Sequence, residues 1–196
     1  MAIDYDVLQK DLCLLGNSFV AESITSFKDK LAFASQADDI YLFQADCLDL
    51  LDKIAAKYPN GCFDMIFADP PYFHASETLI WAAKNSQSRH VFNYEAMKEM
   101  NNHKQMQSVW NFSPPHISEK QFGKHPTQKP VSLVERCILA ATDKGAFIFD
   151  PFAGSSTTGV AAIQTKRGFC GVELESEFIQ LSTKRLQLAL NKRSRI

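Results

Sequence analysis

Short apolar runs alternate with amphipathic segments along most of this chain, and several of the runs end at an acidic residue. Runs of this length, bounded by turn residues, are typical of buried strands, and apolar spacing at every third or fourth position is typical of helices. The predicted strands are residues 41–45, 63–68, 78–83, 146–149 and 168–172. The predicted helices are residues 47–54, 131–141, 160–165 and 176–190, with one more from a Ser23 cap to about residue 33. Strands followed by helices predict an α/β fold.

The run at 63–68 ends at Asp69-Pro70-Pro71-Tyr72. Proline lacks a backbone N–H and fixes φ, so two prolines end a sheet ladder and stiffen an extended turn. A carboxylate, a backbone carbonyl and an aromatic ring then stand at the C-terminal edge of a strand, where ligands bind in open α/β sheets. The two oxygens can accept the hydrogens of a nucleobase amine, and the ring can stack on a flipped base. The alternative is a structural Pro-Pro turn with Asp69 as a cap.

A small-residue loop follows the run at 146–149. Its sequence is Asp150-Pro151-Phe152-Ala153-Gly154-Ser155-Ser156-Thr157-Thr158-Gly159. A strand, a small-residue loop and a helix N-terminus together form a site for a nucleotide-like cofactor. Glu173 ends the next strand, 19 residues after Gly154, which is the separation at which a carboxylate accepts hydrogen bonds from ribose hydroxyls. The loop is neither a Walker A motif nor a dinucleotide fingerprint.

One further residue and one further polar segment each allow two interpretations. Asp46 follows the strand at 41–45 and is either the N-cap of the next helix or a ligand at the cofactor edge. Residues 124–130, Lys-His-Pro-Thr-Gln-Lys-Pro, open the helix at 131–141. Such a cation-rich helix entry can bind a small carboxylate, or it can be an ordinary capped surface helix.

Composition narrows the class of protein. The chain has 196 residues, 45% of them hydrophobic, which is enough for one domain, and no apolar run long enough to span a membrane or to act as a secretory signal. Five scattered cysteines predict a reduced, cytoplasmic protein without structural zinc. The net charge is −1, but residues 84–136 carry 8 Lys/Arg against 4 Asp/Glu. Interleaved cations, aromatics and amides from Arg89 to Trp110 form either a nucleic-acid surface or a solvated helix.

The combination of Asp-Pro-Pro-Tyr, residues 124–130 and the loop at 150–159 resembles the S-adenosylmethionine-dependent amino-methyltransferases of DNA. The order of the motifs is that of the permuted group, whose catalytic motif precedes the cofactor loop. Aspartate as the first motif residue resembles the N6-adenine enzymes, and the segment from Arg89 to Trp110 resembles bacterial restriction-modification adenine methyltransferases of the DpnA type. The resemblance implies a Rossmann-like methyltransferase fold with a mostly parallel sheet and helices on both faces. It also implies a single domain over 1–196, with 84–124 as a DNA-facing insertion.

The resemblance assigns roles to individual residues. Asp69 and the Pro70 carbonyl would hold the adenine amine while Tyr72 stacks on the base, and Asp46 and Glu173 would contact the cofactor's adenine and ribose. The catalytic set is Asp69, Pro70, Pro71 and Tyr72. The S-adenosylmethionine set is Asp46, Cys47, Asp69, Thr127, Gln128, Lys129, Asp150, Pro151, Phe152, Ala153, Gly154, Ser155, Ser156, Thr157 and Glu173. The DNA set is Arg89, Asn93, Tyr94, Lys104, Gln105 and Trp110, and no metal is expected.

The implied function is methyl transfer to adenine N6 in DNA, with a restriction endonuclease as the functional partner outside any stable complex, and a homodimer is a possible assembly. N4-cytosine methylation and a non-catalytic cofactor- or DNA-binding relative are the alternatives. The chain departs from the family at two places. Ser156 stands where the loop usually has glycine, and an internal segment expected between Phe73 and His74 is missing, leaving five predicted strands instead of seven.

Overall fold

A five-stranded sheet organises the chain, and its strands run in the order β1-β2-β5-β4-β3. The computed structural model describes residues 28–69, 78–82 and 90–194. The strands are β1 (Leu31–Ser35), β2 (Ile40–Gln44), β3 (Met65–Ile66), β4 (Phe147–Asp150) and β5 (Gly168–Glu173). The helices are α1 (Cys47–Lys57), α2 (Tyr94–Met100), α3 (Val131–Ala141), α4 (Thr157–Thr165) and α5 (Ser176–Arg193). Short 3₁₀ turns occupy Lys28–Lys30, Gln36–Asp38 and Ile117–Lys120.

Strands β2, β5, β4 and β3 are mutually parallel, and only β1 is antiparallel to its neighbour β2. Successive side chains of a strand point to opposite faces. On β2, Ile40 and Leu42 therefore join one buried cluster, and Tyr41 and Phe43 join the other. The first cluster packs the sheet against α3, α4 and α5, and the second packs it against α1. The predicted mostly parallel α/β fold with helices on both faces is confirmed.

Most predicted elements are observed, and their bounds differ by a few residues. The helix predicted at 131–141 has those bounds in the structure, while the predicted helix at 160–165 begins earlier, at Thr157. The strand predicted at 63–68 is assigned only at Met65–Ile66. Its ladder reaches further, because the N–H groups of Asp64 and Phe67 donate to the carbonyls of Phe147 and Phe149 at 2.9 and 2.8 Å.

Two predicted elements are wrong within the described residues. The helix predicted to end near residue 33 is instead a 3₁₀ turn followed by β1, because Leu31 and Phe33 alternate with exposed alanines and pair with β2. The predicted strand at 78–83 is not formed at 78–82, where Leu79, Ile80 and Trp81 are exposed. An apolar run becomes a strand only beside a pairing neighbour, and no described strand lies next to this one. The Phe73/His74 junction and Ala83 lie outside the described residues.

Candidate active site at the carboxyl edge of the sheet

The carboxyl ends of the four parallel strands bring four acidic residues to one edge of the sheet. Asp46 follows β2, Asp69 follows β3, Asp150 ends β4 and Glu173 ends β5. In open parallel sheets this edge is the usual ligand site. Asp69 and Glu173 are both close enough to Asp150 to interact with it electrostatically, because the charge of each contributes to raising the pKa of Asp150.

The loop between β4 and α4 is almost entirely buried and tightly turned. Gly154 and Ser156 both have left-handed backbone angles, with φ of 52° and 53°. The N–H of Ala153 donates to the Val172 carbonyl at 2.8 Å, which joins the loop to β5. A Cβ at position 154 would lie 3.1 Å from the His125 ring, so both this close contact and the positive φ favour glycine there. Phe152 is the exposed member of the loop, at 42% exposure.

Glu173 is bound by three backbone N–H groups. Its Oε2 accepts from Gly154 at 2.8 Å, and its Oε1 accepts from Leu174 and Glu175 at 2.8 and 2.9 Å. These bonds orient the carboxylate and join the loop to the end of β5. A carboxylate has about four lone-pair sites, so these three bonds leave room for one more donor, such as a ribose hydroxyl.

Asp150 is a fully buried carboxyl at the start of the loop. Burial raises its pKa to about 7, and hydrogen bonds from Thr158 and from the Phe152 N–H oppose that rise. The Phe152 bond is 2.9 Å long and closes the first turn of the loop. The side chain of Asp150 therefore shapes the loop from within.

Helix α5 donates hydrogen bonds to the loop from two residues, Ser182 and Arg185, that were not predicted from the sequence. Ser182 Oγ donates to the Gly154 carbonyl at 2.7 Å. Arg185 Nη1 donates to the Ser155 carbonyl, Ser155 Oγ and Thr157 Oγ1 at 2.6, 2.7 and 3.0 Å. Burial lowers the pKa of Arg185 to about 10, with Glu119 opposing the shift, and the side chain stays charged at neutral pH. The available signal was a serine and an arginine three residues apart on the buried face of an amphipathic helix.

Residues 124–130 cover the loop from the other side. The His125 ring packs against Phe178 with centroids 4.2 Å apart, and burial lowers its pKa, which favours the neutral imidazole. The Thr157 hydroxyl donates to the Lys129 carbonyl at 3.4 Å, and Lys129 Nζ lies 3.3 Å from Asp69 Oδ2. Gln128 instead donates to the Glu119 carbonyl at 3.1 Å. The predicted entry to α3 therefore contacts both the loop and Asp69.

Other predicted cofactor residues lie at the same edge. Asp46 caps α1, because its Oδ1 accepts from the Leu48 N–H at 2.8 Å, so the cap interpretation is correct. The Asp46 side chain is also exposed and Cys47 is half-buried, so their contact with a cofactor stays a prediction. Pro70, Pro71 and Tyr72 lie outside the described residues.

The residues predicted to face DNA have mixed surroundings. The Asn93 amide donates to the Leu139 and Thr142 carbonyls at 2.8 and 2.9 Å, which joins the start of α2 to the end of α3. Tyr94, Lys104 and Gln105 are exposed. The Arg136 guanidinium stacks on the Trp110 ring, with its carbon Cζ 3.7 Å from the ring centroid. Arg89 lies outside the described residues, and DNA contact by this set stays a prediction.

Comparison with known proteins agrees with this geometry. The sequence model of the DNA methylase family (N6_N4_Mtase) matches residues 36–184. The chain belongs to the DNA methylase family. The match includes the Asp69 motif, residues 124–130, the loop after β4 and Glu173. These are the segments that the structure gathers at the carboxyl edge of the sheet.

Relatives within this DNA methylase family match a little over half of the chain. It is 51% identical over 118 residues to the type II methyltransferase M2.DpnII of Streptococcus pneumoniae, covering 59% of this chain and 44% of that protein. It is 47% identical over 115 residues to the type II methyltransferase M2.MboI of Moraxella bovis, covering 58% and 42%. The matched part is thus less than half the length of these relatives. The crystal structure of an M1.HpyAVI-SAM complex shares the fold, with a TM-score of 0.58, 21% identity and coverage of 75% of this chain and 98% of that one. Within the described residues, no helix has the length and apolar content needed to cross a membrane.

Proposed function

We propose that this chain transfers a methyl group from S-adenosylmethionine to the N6 amine of a flipped-out adenine in DNA. The observation that carries the proposal is the meeting of Asp69, the loop at 150–157 and Glu173 at one edge of a parallel sheet. Membership of the DNA methylase family and relatives named as type II methyltransferases support it. Aspartate as the first residue of the motif favours adenine over cytosine.

The described residues suit the cofactor that this function requires. Glu173 is oriented by three N–H donors and can accept from one ribose hydroxyl. The loop at 150–157 consists mostly of small residues and reaches the Glu173 carboxylate, to which the Gly154 N–H donates at 2.8 Å. Thr127 to Lys129 would lie at the methionine end, and Asp46 and Cys47 would lie at the adenine end. When bound, S-adenosylmethionine supplies an electrophilic methyl group on a sulfonium.

The chain's own contribution to the reaction is to hold and orient the amine. Asp69 accepts one amine hydrogen and the Pro70 carbonyl accepts the other, which frees the nitrogen lone pair from the ring. Asp69 and Pro70 would thereby direct the freed lone pair to the methyl group of a bound S-adenosylmethionine, whose S–C bond would break as the N–C bond forms, with the thioether as the leaving group. The nitrogen then loses one proton to solvent. Orientation of this kind supplies much of the rate in reactions between two bound groups.

The biological setting follows from the same proposal. DNA is the proposed substrate, which agrees with relatives named as type II methyltransferases, and the proposed functional partner is a restriction endonuclease of matching specificity without a stable complex. Arg89, Asn93, Tyr94, Lys104, Gln105 and Trp110 are the proposed DNA-facing residues. The proposed location is the cytoplasm, and homodimerisation is testable by light scattering.

The test is methyl incorporation into DNA by wild type and Asp69→Ala, followed by nucleoside analysis of the product. We expect N6-methyladenine from wild type, near-complete loss in Asp69→Ala, and cofactor affinity close to wild type in calorimetry, because the lost contacts are to the base. Asp52→Ala, which removes an exposed acid on α1, should behave as wild type. N4-methylcytosine as the product would refute the adenine assignment. Cofactor binding without any methyl transfer by wild type would favour a non-catalytic relative.

A further inference from the structure

We propose that Lys129 is a positioning residue for the Asp69 carboxylate. It would orient the group that accepts a hydrogen of the target amine, in addition to lying near the cofactor. This role rests on the proposed function. Lys129 Nζ lies 3.3 Å from Asp69 Oδ2, and the two side chains are only 12% and 22% exposed. The pair joins the segment after β3 to the segment before α3, 60 residues later in the chain.

The ion pair restricts how the carboxylate can turn. An ammonium on Oδ2 opposes rotation about the terminal torsion of Asp69, which is otherwise a soft torsion. The plane of the carboxylate, and with it the direction of its lone pairs, is then set before a base arrives. An amine hydrogen needs one such lone pair within hydrogen-bond distance.

The charges around Asp69 give Lys129 a second effect. Asp69 lies close enough to the buried Asp150 for its charge to help raise the pKa of Asp150, because a neighbouring carboxylate disfavours the ionised form. His125 also faces Asp69, but burial favours its neutral form. The Lys129 ammonium, in contact with Asp69, places a positive charge beside these carboxylates and offsets part of their repulsion.

Lys129 also links Asp69 to the cofactor loop. Its backbone carbonyl accepts from the hydroxyl of Thr157, the first residue of α4, at 3.4 Å. One residue thus contacts the loop through its backbone and the amine acceptor through its side chain. The Lys129 side chain thus restrains Asp69 relative to the loop, and a misplacement of about 1 Å can cost about 100-fold in rate.

The experiment compares Lys129→Met and Lys129→Arg with wild type in DNA methyl transfer across pH 5–9, and measures S-adenosylhomocysteine affinity by calorimetry. For Lys129→Met we expect kcat to fall about 100-fold, with cofactor affinity within about threefold of wild type and the acid limb of the pH profile moved upward, because the carboxylate has lost a neighbouring cation. Lys129→Arg should restore much of kcat because it keeps the cation. Lys144→Met, which removes an exposed lysine between α3 and β4, is the matched control and should leave all three quantities unchanged.

The possible results separate this role from its rivals. A large loss of cofactor affinity with unchanged kcat would mean that Lys129 only contacts the cofactor. A fall in kcat with an unmoved pH profile and no rescue by arginine would mean a merely structural role. Either result, in an active wild-type protein, overturns the positioning role alone. A wild type that transfers no methyl group to DNA contradicts the proposed function, and the positioning role then falls with it.

Discussion

Replacing Arg185 by methionine should loosen the loop that precedes α4. Arg185 is 5% exposed, and its Nη1 donates to three acceptors on Ser155 and Thr157. Methionine fills a similar volume and keeps the apolar packing of α5, but it donates no hydrogen bond. The variant therefore removes the donors with little change in the shape of the core.

The expected loss of stability in Arg185→Met depends on which buried acceptors lose their hydrogen-bond donor. Ser155 Oγ and Thr157 Oγ1 lie 3.3 Å apart and can bond each other, whereas the Ser155 carbonyl loses its donor from α5. A buried acceptor without its donor costs about 1–3 kcal/mol. Removal of the guanidinium also ends its own desolvation cost, so the three bonds do not add. We expect the free energy of unfolding to fall by about 2 kcal/mol, which is about 30-fold in the unfolding equilibrium.

The assay is urea unfolding followed by circular dichroism, with S-adenosylhomocysteine affinity measured in parallel. Arg185→Lys keeps a charged donor and should lie between wild type and Arg185→Met. Lys184→Met changes an exposed neighbour on the same helix and should leave both measurements unchanged. Cofactor affinity in Arg185→Met should fall about tenfold, because binding must first restore the loop conformation.

One result would refute the reasoning. If Arg185→Met lowers the free energy of unfolding no more than Lys184→Met does, and binds S-adenosylhomocysteine as wild type does, then the guanidinium does not hold the loop. Its three short contacts would then contribute nothing measurable to stability or to cofactor binding.

Two further predictions concern the same loop. Ser156 has a left-handed φ of 53° and a buried hydroxyl without a hydrogen-bond partner among the described residues. Ser156→Gly should therefore raise the free energy of unfolding by about 1 kcal/mol, and a lower urea midpoint would contradict this. Asp150 has a native pKa of about 7, above its ordinary value of 3.8, so the native chain holds a proton that the unfolded chain has released between these values. The stability of wild type relative to Asp150→Asn should thus decrease with rising pH, by about 1.4 kcal/mol per unit from about pH 4 to pH 7, and parallel stability curves would contradict it.

The elements that the sequence predicted well are those whose pattern is local. Helix α3 has its predicted bounds, and β2, β4 and β5 lie within a residue or so of the predicted runs. Each combines a clear apolar period with a turn or cap at its end. The placement of Asp69 and Glu173 followed from the same patterns, since parallel strands bring their carboxyl ends to one edge.

The errors arose where a segment's structure depends on a distant partner. The apolar residues at 31–33 form a strand because β2 lies alongside them, although their sequence also fits the end of a helix. Leu79 and Ile80 are apolar enough for a strand, yet they form none, because strand structure needs a neighbour to accept its hydrogen bonds.

The amino-acid sequence by itself determined the α/β class, the order of the motifs and the membership of the family. The reason is that strand periods, helix periods and motifs are all patterns of residues that are close together in the chain. Only the tertiary structure decided that Lys129 contacts Asp69 and that Arg185 supports the loop at Ser155. These contacts join residues 60 and 30 positions apart in the chain. Hydrogen bonds and ion pairs act over about 3 Å, so they depend on how the helices pack on the sheet, and no local pattern encodes that packing.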